Sequence, residues 1–156
     1  MRERTAFFTG HRNLSKKERE ILRQRLDETL ERLIELGVVF WDIGMALGAD
    51  QMAAFALLRQ RERNPAVKFI AVLPCRNQDA LWSDADRQTY HKLLSSADKI
   101  VYVSEQYFDG CMKLRNEWLV KNSSVCVTYL KNRKSGTGQT VRMARMQGLE
   151  VINLAE

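Results

Sequence analysis

The chain has 156 residues, of which 45% are hydrophobic and 28% are charged, and its formal net charge is +6. This length and this balance predict one folded domain over residues 1–156 and exclude a disordered chain. No apolar run reaches the roughly 20 residues that span a bilayer, and the charged N-terminus does not resemble a signal peptide. We therefore expect a cytoplasmic protein without a membrane partner.

The chain begins with a short strand and a long amphipathic helix. Residues 5–8 form an apolar run typical of a buried strand, and Ser15 with Glu18 forms the pattern of a helix capping box. Gly37 follows the last leucine-rich turn and predicts a left-handed helix cap. The helix face that we expect to be buried carries apolar residues at helical spacing: Leu22, Leu26, Leu30, Leu33 and Ile34.

Strands and helices continue to alternate through the rest of the chain. A second strand is predicted over residues 38–41 and a second helix over residues 49–63, which ends at Asn64 and Pro65 because proline cannot continue a helix. We expect the apolar face of this helix to include Met52, Phe55, Ala56 and Leu58. Further strands are predicted at 69–73, 100–103, 125–129 and 151–152, and further helices at 84–96, 111–121 and 137–146.

This alternation determines the architecture that we predict. Parallel strands joined by right-handed crossover helices must form a sheet with helices on both faces. The sequence therefore predicts an α/β protein with a single Rossmann-like doubly wound domain and a mostly parallel sheet. In such domains ligands bind at the carboxyl ends of the strands.

The cysteines and histidines show no metal-ligand spacing. The three cysteines are far apart and odd in number, and His11 and His91 do not complete a ligand set with any of them. Cys126 lies in a strand-like run and is expected in the core. Cys75 and Cys111 lie in or near predicted loops and are candidates for exposed thiols, with nothing nearby that indicates a nucleophile.

Three glycine-bearing segments fall where predicted strands end and helices begin: residues 9–12, 44–50 and 135–138. Helix N-termini at such loops present unpaired N–H groups and a partial positive charge, and glycine allows the backbone to approach a ligand closely. Together the loops predict an anion site for the phosphates of a nucleotide. A basic stretch brackets the last loop and favours a phosphate-bearing partner: Lys131, Arg133, Lys134, Arg142 and Arg145.

Several of these residues have a structural interpretation beside the functional one. Asp50 either caps a helix or accepts a hydrogen bond from a ribose hydroxyl. His11 is either structural or a ligand contact. Arg115 and Asn116 lie on or beside the inward face of their helix, which Met112 marks. An arginine there either forms a buried salt bridge or reaches a phosphate.

Four segments together resemble the YpsA-like branch of the SLOG superfamily, which also contains the LOG phosphoribohydrolases and the DprA/Smf proteins. They are Thr-Gly-His-Arg at 9–12, Gly-Met-Ala-Leu-Gly-Ala-Asp-Gln at 44–51, Arg115-Asn116, and Gly136-Thr137. The resemblance covers essentially the whole chain, from residue 9 to residue 148. It implies a Rossmann-like fold, a homodimer, and a nucleotide pocket lined by Gly10, Arg12, Gly44, Gly48, Asp50, Arg115, Asn116, Gly136 and Thr137.

The last glycine loop departs from the LOG pattern. Where LOG enzymes carry the glutamate that works in N-glycosidic bond cleavage, this chain has Thr140, and Ser135 stands where a glycine is common. A threonine cannot act as the carboxylate of such a reaction. Asp50 or Asp42 is the candidate substitute, so whether the protein is an enzyme stays open at this point.

The preferred hypothesis is a cytoplasmic binding domain for a nucleotide or nucleotide-derived ligand, with a sensory or regulatory role. The alternatives are a LOG-like nucleoside monophosphate phosphoribohydrolase and a DprA-like single-strand nucleic-acid binder, the latter less favoured because no exposed aromatic residues alternate with the basic ones. The sequence identifies no metal site and no cofactor other than such a ligand. The predicted ligand-binding residues are Thr9, Gly10, His11, Arg12, Gly44, Gly48, Ala49, Asp50, Arg115, Asn116, Ser135, Gly136, Thr137 and Thr140.

Overall fold

A computed structural model describes residues 1–156 and contains six strands in one sheet. The strands are β1 (Thr5–Gly10), β2 (Phe40–Ile43), β3 (Lys68–Leu73), β4 (Lys99–Tyr102), β5 (Val125–Tyr129) and β6 (Glu150–Asn153). All neighbouring pairs are parallel, in the order β4-β3-β2-β1-β5-β6. The strand order reverses between β1 and β5, which is where doubly wound sheets open a crevice for a ligand.

Five helices cover the two faces of the sheet. They are α1 (Lys16–Glu35), α2 (Ala49–Arg63), α3 (Asp84–Ser95), α4 (Cys111–Lys121) and α5 (Gly136–Met146), and a short 3-10 turn, Arg2–Arg4, precedes β1. Helices α1, α2 and α3 pack on one face around a core of 25 buried residues, and α4 and α5 pack on the other around 8. Adjacent residues of β1 serve the two cores, Phe8 the larger and Phe7 the smaller, because side chains alternate along a strand. The prediction of a Rossmann-like α/β fold is confirmed. None of the helices has the length and apolar character of a membrane span.

The predicted capping signals of α1 are confirmed. The Ser15 hydroxyl accepts a hydrogen bond from the N–H of Glu18 (3.1 Å), and the Glu18 carboxylate accepts one from the N–H of Ser15 (2.9 Å). Gly37 follows the helix with φ +103°. This cap also explains why β2 begins two residues later than predicted, since the N–H of Val38 bonds back to Leu33 of the helix.

For several side chains the expected burial or solvent exposure is wrong. Phe55 is 39% exposed, because the apolar residues of the buried face of α2 are small alanines and Leu57, which let the helix pack closely. Met112 is 40% exposed at the start of α4 rather than marking its inward face. Cys75 and Cys111 are both buried and lie close to each other, and burial raises the pKa of the Cys75 thiol. Cys126 is buried as expected.

Candidate functional site

A cavity of about 360 Å³ opens at the carboxyl ends of the strands, beside the reversal of strand order. Its volume falls within the range of small-molecule sites. Ten of the predicted site residues line it: Thr9, Gly10, His11, Arg12, Asp50, Arg115, Asn116, Ser135, Gly136 and Thr137. The structure therefore brings residues from three distant loops and one helix to a single cavity.

Arg115 lies against the floor of this cavity and is only 7% exposed. Its Nη1 donates to the carbonyl oxygen of Gly44 (2.6 Å), and its Nε donates to Oδ1 of Asn116 (2.8 Å). Nη2 has only the thioether sulfur of Met112 as a partner, at 3.8 Å. The buried salt bridge, which was the structural alternative for Arg115, is absent, since no carboxylate oxygen lies within 4.0 Å of this guanidinium. Burial accordingly lowers the pKa of Arg115, and the charge of Asp50 opposes this shift.

Gly44 is a support for Arg115 rather than part of the cavity wall. A Cβ added at Gly44 would collide with the guanidinium, with the Cζ of Arg115 only 2.8 Å away. The arginine can reach the Gly44 carbonyl because residue 44 has no side chain. This glycine therefore determines where the cation sits.

Asp50 is buried, and its carboxylate has one unused oxygen. Oδ2 accepts from the N–H of Ala46 (3.1 Å), whereas Oδ1 has no hydrogen-bond partner. Burial raises the pKa of Asp50 to about 6, and the charge of Arg115 and the backbone N–H of Ala46 limit the rise. The predicted N-cap role is wrong, because Gly48 occupies that position and Asp50 is the second residue of α2.

His11 connects β1 to the loop that follows β5. Its Nε2 accepts from the backbone N–H groups of Lys131 (2.9 Å) and Asn132 (3.2 Å), which requires the neutral ring with its proton on Nδ1. Partial burial lowers the pKa of His11 in the folded protein. The structural interpretation of this residue is therefore supported, and the ring also lines the cavity.

Acidification is expected to weaken the hydrogen bonds between His11 and the loop that follows β5. Because the folded-state pKa of His11 is depressed, its contribution to stability is present above about pH 6.5 and is lost as the pH falls through the folded-state value. The unfolding temperature of the wild type should fall more between about pH 7.5 and about pH 5.5 than that of His11→Asn, whose amide does not titrate in this range. Equal pH dependence in the two proteins would show that His11 does not hold the loop.

The β5–α5 loop presents free donors to the cavity. The Ser135 hydroxyl accepts from the N–H of Gly138 (3.1 Å) and donates to the carbonyl of Asn132 (2.6 Å), so it caps α5. The N–H groups of Gly136 and Thr137 have no partner in the protein. They are the first two donors of the helix, where the helix dipole favours an anion.

Four predicted site residues do not line this cavity. Thr140 is buried and donates to the carbonyl of Gly136 (3.2 Å), one turn back along α5. The other three, Gly44, Gly48 and Ala49, shape the backbone around the cavity. Ala49 packs so close to Gly10 that a Cβ added at Gly10 would lie 2.6 Å from the Cβ of Ala49.

The basic residues are arranged differently from the expectation. Lys131 pairs with Glu18 across the loop, Nζ to Oε2 at 3.1 Å. The hydrogen bond from the backbone N–H of Ser15, and after it this contact with Lys131, lower the pKa of Glu18 to about 2. Arg142 donates to the carbonyl of Arg133 (2.6 Å). Arg12, by contrast, is an exposed cation at the cavity whose side chain has no hydrogen bond or salt bridge. Among the residues that line the cavity, the unpaired exposed cation therefore comes from the first loop.

Four residues that line the cavity were not predicted as ligand-binding residues: Ala46, Gln78, Trp82 and Met112. Gln78 and Trp82 belong to the loop after β3, and any loop at the carboxyl end of a central strand approaches this crevice. That rule could have identified them without a glycine motif. Trp82 packs edge-to-face against the buried Tyr90, with the ring centroids 5.0 Å apart. Asp42, considered above as a substitute carboxylate, does not line the cavity.

Comparison with known proteins agrees with this architecture. A UPF0398 protein of Halalkalibacterium halodurans is 25% identical over 133 residues, which cover 84% of this chain and 68% of that protein. The structure of DNA processing protein A (DprA) from Streptococcus pneumoniae matches 94% of this chain with a TM-score of 0.67 and 19% identity. DprA from Helicobacter pylori, described with a single-stranded DNA binding mode, matches 94% of it with a TM-score of 0.65 and 22% identity.

The DprA matches show a shared fold alone, since the sequence identities are only 19% and 22%. This chain spans 48% and 63% of those two proteins. The family model YpsA, described as the YspA SLOG family, matches residues 7–150. This match covers nearly the whole chain and confirms the resemblance found in the sequence. The chain belongs to the YspA SLOG family.

Proposed function

We propose that this protein is a cytoplasmic binding domain for a nucleotide or nucleotide-derived ligand, with a sensory or regulatory role. The observation that carries the proposal is Arg115, a buried guanidinium at a cavity, without a carboxylate partner and with Nη2 nearly free. A buried charge is costly unless it is paired. A phosphate in the cavity supplies the missing negative charge.

The donors around the cavity fit a phosphate group. Arg115 offers part of a planar fork, and the unpaired N–H groups of Gly136 and Thr137 offer two more donors at a helix N-terminus. Arg12 adds an unpaired cation at the opening. This set recognises the charged end of a mononucleotide, and the rest of the cavity is left for its sugar and base.

The first test is whether binding requires the phosphate. Calorimetric titration with AMP and with adenosine should show AMP binding more tightly by about tenfold or more, because charge-assisted hydrogen bonds contribute about 1.5–3 kcal/mol. Added salt should weaken AMP binding and leave adenosine unaffected. Equal affinities for the two compounds would contradict the proposal.

An enzyme remains the alternative because one carboxyl group does lie in the cavity. Asp50 has a free Oδ1 and a pKa of about 6, which is suited to general acid–base work. Incubation with nucleoside monophosphates should release no base if the domain only binds its ligand. Release that disappears in Asp50→Asn but persists in Thr140→Ala would instead identify a phosphoribohydrolase.

A DprA-like role is supported by the shared fold and the net charge of +6. Binding of single-stranded DNA through backbone phosphates would weaken steeply with salt. Undetectable oligonucleotide binding at moderate salt, under conditions where AMP raises the unfolding temperature, would exclude it. The homodimer stays a prediction.

A further inference from the structure

The loop after β3 places an unused hydrogen-bond acceptor beside the cavity. Nε2 of Gln78 donates to the carbonyl oxygen of Met45 (3.4 Å) and to the hydroxyl of Tyr90 (3.1 Å). A carbonyl oxygen can only accept, so the amide of Gln78 cannot turn over without placing two acceptors together. Oε1 is thereby fixed as the free end of the amide, and it is buried without any partner.

Free donors and free acceptors both belong to residues that line the cavity. The free donors belong to Arg115 and to the start of α5. The two free acceptors are Oδ1 of Asp50 and Oε1 of Gln78. A ligand that satisfies both sets must carry an anionic group and hydrogen-bond donors.

The spacing of the strands gives the length of such a ligand. Gln78 follows β3 and Gly136 follows β5, and these strands are separated by β2 and β1. Three strand spacings amount to roughly 14 Å, and the amide of Gln78 lies inside that span because it donates to the carbonyl of Met45, in the loop after β2. An extended mononucleotide spans a comparable length from its phosphate to the far edge of its base. Trp82, in the same loop as Gln78, provides an aromatic surface for that base.

We propose that Gln78 selects nucleoside monophosphates whose base carries an exocyclic amino group, by accepting a hydrogen bond from that group at Oε1. This inference rests on the proposed function, because it assumes that the phosphate lies at Arg115 and the start of α5. Asp50 is assigned to the sugar hydroxyls in the middle of the cavity. A buried acceptor left unpaired is costly, so a base without the amino group binds more weakly.

The test compares AMP with purine riboside 5′-monophosphate, which differs from AMP only by lacking the 6-amino group. Wild-type protein should bind AMP about tenfold more tightly, and Gln78→Met should bind the two compounds equally. Gln51→Met is the matched control, since Gln51 is also half-buried with an unpartnered amide nitrogen but does not line this cavity. This control should keep the preference. Unfolding temperatures of both variants establish that they are folded.

The outcomes separate the inference from the function on which it rests. Equal binding of the two monophosphates by the wild type, or a preference that survives in Gln78→Met, overturns the role of Gln78 and leaves the phosphate site intact. Equal binding of AMP and adenosine overturns the phosphate site itself. Failure of all three compounds to bind overturns both. A preference that disappears in Gln78→Met and persists in Gln51→Met supports the assignment.

Discussion

Replacing Arg115 by lysine is expected to weaken AMP binding tenfold or more, about 1.4 kcal/mol, while the unfolding temperature without ligand changes little. Lysine keeps the charge and can still donate to the Gly44 carbonyl, which is the main contact of Arg115 within the protein. It lacks the planar fork that binds one group through Nη1 and another through Nη2. The substitution should therefore reduce the affinity for the ligand and leave the stability of the fold nearly unchanged.

Arg59→Lys provides the matched control. Arg59 pairs with Asp27 on the neighbouring helix (3.0 Å) and lies outside the cavity. This variant should bind AMP as the wild type does. If Arg115→Lys instead lowers the unfolding temperature clearly and leaves the affinity of the folded protein unchanged, Arg115 serves the structure and the proposed phosphate site is wrong.

The fold could be predicted from sequence because its signals are local. The Ser15 cap, the glycine after α1 and the alternation of apolar strands with amphipathic helices each depend on neighbours in the chain. The late end of β1, by contrast, depends on a distant segment. β1 continues through Thr9 and Gly10 because these residues pair with Thr128 and Tyr129 of β5, a partner that no local pattern reveals.

The candidate site was predictable in outline and not in its hydrogen bonds. Loops at the carboxyl ends of parallel strands must converge, which is why His11, Asp50 and Gly136 meet. Which acceptor each donor finds depends on three-dimensional geometry. Lys131, expected as a free cation, is paired with Glu18 over a separation of 113 positions in sequence, 131 minus 18, and spacing alone could not indicate that pair.

The glycines of the three loops also differ in whether they accommodate other parts of the protein or leave space for a ligand. The sequence suggested that each glycine-bearing loop approaches a ligand, whereas the structure shows that Gly44 and Gly48 accommodate other parts of the protein. Gly44 leaves room for the guanidinium of Arg115, and Gly48 leaves room for the backbone of Arg12. Gly136 alone among these three has no protein atom within 4 Å of an added Cβ, and it lines the cavity. It is therefore the glycine whose open side is available to a ligand.

Gly48→Ala is expected to cause the largest loss of stability of any glycine-to-alanine change in this chain. Gly48 has φ +83° and ψ −121°, a conformation that costs a residue with a side chain on the order of 1–3 kcal/mol. An added Cβ would also collide with the backbone of Arg12, whose Cα would be 2.8 Å away, and backbone cannot rotate aside. Overpacking adds about 1–3 kcal/mol, so the unfolding temperature should fall by roughly 10 °C.

Gly148→Ala separates the two contributions to that loss. Gly148 has nearly the same φ, +82°, but no atom lies within 4 Å of its added Cβ. Gly148→Ala should lower the free energy of unfolding by only about 1–2 kcal/mol, because of the positive φ. Thermal unfolding of both variants at one pH then gives the cost of the collision, together with any difference in backbone strain, as the difference between them. Equal losses would mean that the 9–12 loop moves away from Gly48 at little cost, and the β1 loop would not be held against the start of α2 as the structure has it.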